Sequence, residues 1–580
     1  MVRSGMLLLA LALGGCVAAP SGDRRPLSNL TGDYLAAKFA ADVNAIDEAA
    51  HAFARAAERL PDDRLVADAF FFQLARGDID AAIPYAERLV ASGGEVDGLA
   101  GLTLAAAALA NGDLARADAL LSQKAPTPLG ENLYQLARVW VVSEQKGPEA
   151  ALAAVDNIKE PSFTGFNPTF TAILAEKAGD FDRAQASHAM SVQAFGGPVG
   201  REAYGAFLER RRDAAAAREF YSMLAQQGGA AARLASGGLR RLERGEASDA
   251  YANVSARQGV AATLYLFAGN ILEQSAGERQ RAADAGYRVG APRFHLPLAL
   301  ANLALWLDGD FADARALAGG IFAIYDEFDL SRAVLEAITP ASQHYESARL
   351  QIAGGLAQRE QEGAAIDVLK ETLRRDGEAH DARLSLAGYL AGADRHEEAI
   401  SVATDAIAML PADEPKSAWR LFVTRGASLI EIDQWPEAER DLERAVALAP
   451  DNPTALNYLG YSWAERGLNL DKAFALIEKA VALDPGVGAY IDSLGWAHFQ
   501  LSEYDKAVGH LEKAAALEPG DSTITDHLGD VYWRLNRPRE ARFQWERALQ
   551  LDVTPKLRAV IEDKLKNGLS PTDPRNPRRQ

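Results

Sequence analysis

The chain carries nine histidines, one cysteine and 80 acidic residues, so catalysis or metal binding would show as particular spacings of these groups. A GxSxG turn would raise a nucleophilic serine, HExxH would hold zinc, and GxxxxGK[ST] or GxGxxG would cradle phosphate. None of these patterns occurs. His396-Glu397-Glu398 begins an HExxH spacing, but Ile400 stands where the second histidine is needed. His498 and His510 fall on different helices. Acidic pairs such as Asp62-Asp63 are most simply helix N-terminal charges facing solvent. The expectation is a non-enzyme with no metal and no cofactor. The remaining chemistry is recognition. Aromatic, acidic and amide side chains recur three and four residues apart as Asn457, Tyr458 and Tyr461, then Asp492, Trp496 and Phe499, then Asp526, Asp530, Trp533 and Arg534. That spacing puts each set on one side of a helix. Large rings beside charges suit binding of a peptide or protein, because they supply area at low entropy cost.

The elements that must hold these residues come from an internal repeat. Leu494-Gly495 recurs as Leu528-Gly529, Ala507 as Ala541 and Ala514 as Ala548, each 34 residues on. One unit earlier stand Leu459-Gly460, Ala473, Ala480 and Pro485. These residues resemble the tetratricopeptide (TPR) consensus, which implies an all-α solenoid of antiparallel helix pairs in a right-handed superhelix. The glycine and first alanine sit where the two helices cross closely, and the proline ends the second helix. One pair cannot bury its apolar face alone, so neighbours must stack. In that register the three sets above line the inner groove, and Trp496, Phe499 and Trp533 form one wet stripe. Asp492 and Asp526 replace the Lys/Asn residues by which some members clamp a carboxylate.

The crossing alanine can be followed at positions 49, 82, 117, 150, 184, 217, 250, 282, 314, 365, 399, 438, 473, 507 and 541. Gly77-Asp78, Gly112-Asp113, Gly179-Asp180 and Gly309-Asp310 mark turns just before it. Ala250 and Ala282 lack such a turn. The count gives roughly 14–16 repeats in two arrays, 30–315 and 340–553, with an inserted segment at 316–339. Residues 554–569 read as a capping helix, with Pro555 suited to its first turn. Residues 570–580 are expected to be disordered.

The chain opens with Arg3, a short apolar run from Met6 to Leu13, and Leu13-Gly14-Gly15-Cys16. The run is too short to span a bilayer. The tetrapeptide resembles the bacterial lipobox. The resemblance implies cleavage of 1–15 and lipidation of Cys16, the chain's single cysteine. Residues 16–29 then read as a flexible tether, and Val17 favours the outer membrane over the inner. A net charge of −19 repels a phosphate backbone and argues against nucleic acid.

From Leu456 to Leu551 the chain resembles Gram-negative TPR lipoproteins. The runs that carry the resemblance are LNYLGYSWAERGLNLDKA, YIDSLGWAHFQL and TITDHLGDVYWRLNRPREARFQWERAL. Some such lipoproteins are adaptors that hold a periplasmic carboxyl-terminal processing protease and present cell-wall hydrolases to it. The resemblance implies a lipid-anchored protein-binding scaffold, with a periplasmic protease and its substrates as candidate partners. A subunit of an outer-membrane assembly or polysaccharide-export complex is the alternative, and a cell-wall enzyme or glycan-binding protein a third.

Overall fold

The computed structural model describes residues 30–60, 62–92, 98–123, 128–158, 166–194, 197–287, 292–410 and 415–569. The expected signal peptide, the tether with Cys16 and the tail lie outside the described residues. Among the described residues every regular element is helical, in thirty α-helices and one 3-10 turn. The all-α expectation holds. None of the helices is long and apolar enough to cross a membrane. The chain forms two compact units, Met1–Tyr345 and Glu346–Gln580.

The C-terminal unit is a run of antiparallel helix pairs. The last three are Pro453–Glu465 with Leu470–Leu483, Gly488–Gln500 with Tyr504–Leu517, and Ser522–Arg534 with Pro538–Ala548. The helix Pro555–Asn567 closes the unit, with Pro555 in its first turn and the Thr554 hydroxyl capping the Leu557 N–H. The glycines stand where the repeat requires them. A Cβ on Gly460 would lie 2.7 Å from Ile477 Cγ1 and 3.0 Å from the Ala473 carbonyl. On Gly495 it would lie 2.7 Å from Leu511 Cγ and 3.3 Å from the Ala507 carbonyl. Ala473, Ala507 and Ala541 are fully buried at these crossings.

The turn inside each pair has a fixed backbone shape. In the N-terminal unit Gly77, Gly112 and Gly179 adopt left-handed φ of 95°, 75° and 78°. The aspartates that follow cap the next helix, accepting from the N–H groups of Ala81, Arg116 and Arg183. Gly309-Asp310 departs from this pattern: its helix starts at Ala312, and Phe311 precedes it without a side-chain cap. In the C-terminal unit the left-handed position passes to Glu360, Asp394, Asp433, Asn469, Ser502 and Asn536. Only the turn before Leu470 also keeps a left-handed glycine among the described residues of this unit's pairs, Gly467 at φ 67°.

The N-terminal unit is less regular than its alanines suggest. Ala49, Ala82, Ala117, Ala184, Ala217 and Ala314 are fully buried, but at Ala150 the register is one residue off, and Ala151 is the buried one. Ala250 lies in a non-helical passage. Ala282 is near the end of a single helix of 29 residues, Ala256–Asp284. That helix packs on the following helix, His295–Leu307, and also on an earlier first helix, Pro128–Lys146. Gly259 sits against the Trp140 indole, and Trp140 Nε1 donates to Thr263 Oγ1 at 3.0 Å. Farther on, His295–Leu307 returns to the start of the unit. Asn302 Nδ2 donates to the carbonyls of Leu74 and Ala75 at 3.2 and 2.8 Å. Glu327 accepts from the Asp47 N–H at 3.1 Å. Within the stretch expected as the N-terminal array, late helices thus return to the first ones. The physical cause is composition. Gly98–Ala110 and His295–Leu307 are apolar nearly all round, and such helices must be covered on every side.

Candidate functional site: the concave face of the C-terminal unit

The first helices of the C-terminal pairs keep an uncovered inner side. It forms a groove of about 870 Å³ running from His380–Gly392 through Trp419–Glu431 to the closing helix Pro555–Asn567. Tyr458, Tyr461, Trp496, Asp526 and Asp530 lie on its lining, together with Glu465. Asn457, Asp492, Phe499, Trp533 and Arg534 do not.

Burial differs sharply from the wet stripe expected. Tyr458 is 42% exposed, but Trp496 is 2%, Phe499 5%, Asp492 5%, Asp526 3% and Asp530 1% exposed. Tyr461, Asn457, Trp533 and Arg534 are half-buried. The rings do not run from Trp496 to Trp533. Trp496 stacks on Phe499 at 4.7 Å and on His527 of the next first helix at 3.9 Å. Trp533 leans on Trp545 at 5.5 Å and is covered by the backbone at Gly568. The spacing of three and four brings Tyr458, Tyr461, Trp496, Asp526 and Asp530 to the groove and leaves the other five off its lining. The next repeat, however, packs its own first helix against the same side of these helices, and the closing helix covers the last one.

Two buried polar clusters result. The Asp492 carboxylate accepts from His527 Nδ1, with both oxygens at 3.0 Å. Burial would lower the His527 pKa, but the charges of Asp492, Asp526 and Asp530 outweigh it and raise it. Lys564 Nζ donates to Asp526 Oδ2 at 2.6 Å and to Asp530 Oδ2 at 2.8 Å. Asp530 Oδ1 also accepts from Trp545 Nε1 at 2.9 Å. Burial and the neighbouring Asp530 push the Asp526 carboxyl up to about 6, against the pull of Lys564. The two carboxylates raise the Lys564 pKa despite its burial. A buried ion cluster of this kind fixes position more than it stabilises; here it fastens the closing helix to the last pair.

Sequence reasoning missed His527 and Lys564. Residues 554–569 read as a solvated cap, and nothing in the sequence marks Lys564 as its one buried lysine. On the lining, four polar atoms have no hydrogen-bond partner among the described residues: His396 Nδ1, Ser428 Oγ, Trp496 Nε1 and Asp526 Oδ1. No cluster of three or more His, Cys, Asp or Glu that could hold a metal occurs among the described residues. The N-terminal unit has a second concavity of about 700 Å³, bordered by the irregular passages at 248–254 and 339–343. There, burial and the charge of Asp313 hold Glu202 up to about 7.

Comparison with known proteins agrees with the helix pairs. The tetratricopeptide repeat family model matches residues 355–414, 423–487 and 493–555. A TPR repeat-containing protein of Pseudomonas aeruginosa is 32% identical over 114 residues, which is 20% of this chain and 18% of that protein's length. Among solved structures, the chain is similar to the APC/C hetero-tetramer Cut9–Hcn1 at 16% identity, covering 94% of this chain and 97% of that one, with a TM-score of 0.37. It is also similar to MamA of Desulfovibrio magneticus at 25% identity, covering 30% and 95%, with a TM-score of 0.26. The helix pairs between residues 355 and 555 are tetratricopeptide repeats.

Proposed function

We propose that this chain is a non-enzymatic scaffold that binds proteins along the C-terminal groove, anchored to the cell envelope by lipid on Cys16. The groove carries the reading. It is an uncovered concave face built from successive first helices, with an exposed tyrosine and unpartnered polar atoms on its lining. The N-terminal unit has spent its equivalent face on itself: Ala256–Asp284 and His295–Leu307 cover the early first helices. The lipobox resemblance supports the anchor, and the resemblance to adaptor lipoproteins supports a processing protease and cell-wall hydrolases as partners. A photo-reactive amino acid at position 458 of the full chain, expressed in a Gram-negative envelope, tests the reading. Crosslinks to a periplasmic protease or its substrates are expected. Crosslinks only to integral outer-membrane components would favour an assembly subunit instead. Replacing Cys16 by Ala is expected to release the protein into the soluble periplasmic fraction; retention on membranes after a salt wash would remove the lipid anchor.

A further inference from the structure

We propose that the C-terminal groove selects a partner segment bearing a lysine or arginine, held in extended conformation; this deepens the groove reading and rests on it. The charge of the lining is one-sided. Asp394, Glu431, Glu465, Asp526 and Asp530 face the groove. The ammonium groups there, Lys556 and Lys564, both come from the closing helix, and each is already paired. Lys564 is bonded to Asp526 and Asp530, and Lys556 stands 3.8 Å from Glu431. The repeats themselves offer this space carboxylates and rings, with His396 and His527 as their basic side chains on the lining, and His527 is already held by Asp492. Glu465 enters no ion pair among the described residues, and Tyr458 and Tyr461 on the same helix add to the lining aromatic rings, whose faces attract a cation. An anionic segment would meet repulsion along this surface.

The second observation concerns the main chain. Trp496 Nε1 is a buried donor without an acceptor, and Asp526 Oδ1 a buried acceptor without a donor. Leaving such groups unpaired in the folded protein is costly, because each has given up water without gaining a partner. A peptide unit presents one carbonyl and one N–H, the complement of both. Ser428 Oγ, also buried and unpartnered, can serve either group. Lys564 already shows how this surface treats an ammonium: it removes the charge from water only with two carboxylates around it.

The test is selection from a phage-displayed random dodecapeptide library on the immobilised full chain. The selected peptides are then measured against Tyr458→Ala, Glu465→Gln and Trp496→Phe by fluorescence anisotropy, with thermal melts as a control for folding. Enrichment of lysine or arginine is expected, with affinity falling about tenfold in Glu465→Gln and more weakly in Trp496→Phe, and declining as salt is raised. Glu465→Gln is near-isosteric at a half-buried site, so its fold survives even if Trp496→Phe loosens the unit. Selected peptides that are neutral or acidic but still need Tyr458 overturn the charge preference and leave the groove reading standing. Peptides indifferent to all three changes, or no enrichment at all, overturn both.

Discussion

Trp496 illustrates how one residue can line a groove and still belong to the core. It is 2% exposed and lies between Phe499 and His527. Replacing it by alanine leaves a cavity, and a loss of about 3–5 kcal/mol is expected in chemical denaturation. Truncating Lys564 to alanine strands Asp526 and Asp530 together, and a similar loss of about 3–5 kcal/mol is expected. The pH dependence follows from the same cluster. The folded pKa of His527 is raised, so its pairing with Asp492 stabilises fully below the ordinary histidine value, about 6.5, and is lost as pH rises through the folded value. Asp526 is also raised, from 3.8 to about 6, so its contribution likewise declines as pH rises between those values. Asp492, Asp526, Asp530 and Lys564 are the charges around His527, and all four are buried with it. The melting temperature of wild type minus that of Asp492→Asn should therefore shrink between pH 6 and 9. A difference that grows over that interval would contradict a charged His527.

At the scale of elements, the repeat is a set of distances that small residues permit. A Cβ on Gly529 would collide with the Trp545 indole. Gly529→Ala should destabilise by about 1–3 kcal/mol by forcing the two helices apart, readable as a lower denaturation midpoint at unchanged slope. The turns give the opposite sign. Glu360 holds φ at 60°, a conformation that strains a residue with a Cβ. Glu360→Gly should leave stability unchanged or raise it by up to about 1 kcal/mol. The same substitution inside the adjoining helix, at Glu371, should lower stability by about 1 kcal/mol. The closing helix has a role of the same local kind: it covers Trp533 and neutralises the last acidic pair.

At the scale of the whole molecule, Met1–Tyr345 and Glu346–Gln580 are each compact. One buried cluster of the N-terminal unit spans residues from Ala37 to Tyr325, two of the C-terminal unit lie between Ala418 and Ile561, and further side chains such as Ile352, Leu369 and Leu386 are buried between these stretches. A fragment beginning at Tyr345 should keep a strongly helical circular dichroism spectrum and melt cooperatively. A fragment 30–255, which lacks Ala256–Asp284 and His295–Leu307, should aggregate or melt without a sharp transition, because Trp140 and the apolar Gly98–Ala110 helix lose their cover.

Periodicity alone determined the helical class, the pair as the unit, and the crossing glycines and alanines. Those features depend on contacts within about one repeat, and such contacts leave a fixed step in the sequence. Gly460, Gly495, Ala473 and Ala507 were legible for that reason, as was the groove side of Tyr458, Tyr461 and Trp496. The exposure of that side was not legible, because it depends on how far each repeat rotates against the next. His527 sliding over Trp496, and Lys564 reaching Asp526 and Asp530, are contacts between elements about one repeat apart that no spacing within a helix encodes. The return of late helices to the first ones in the N-terminal unit was hidden more deeply. Asn302 meets Leu74 and Ala75 across some 228 positions of sequence, and only the need of two apolar helices to be covered on all sides brings them together.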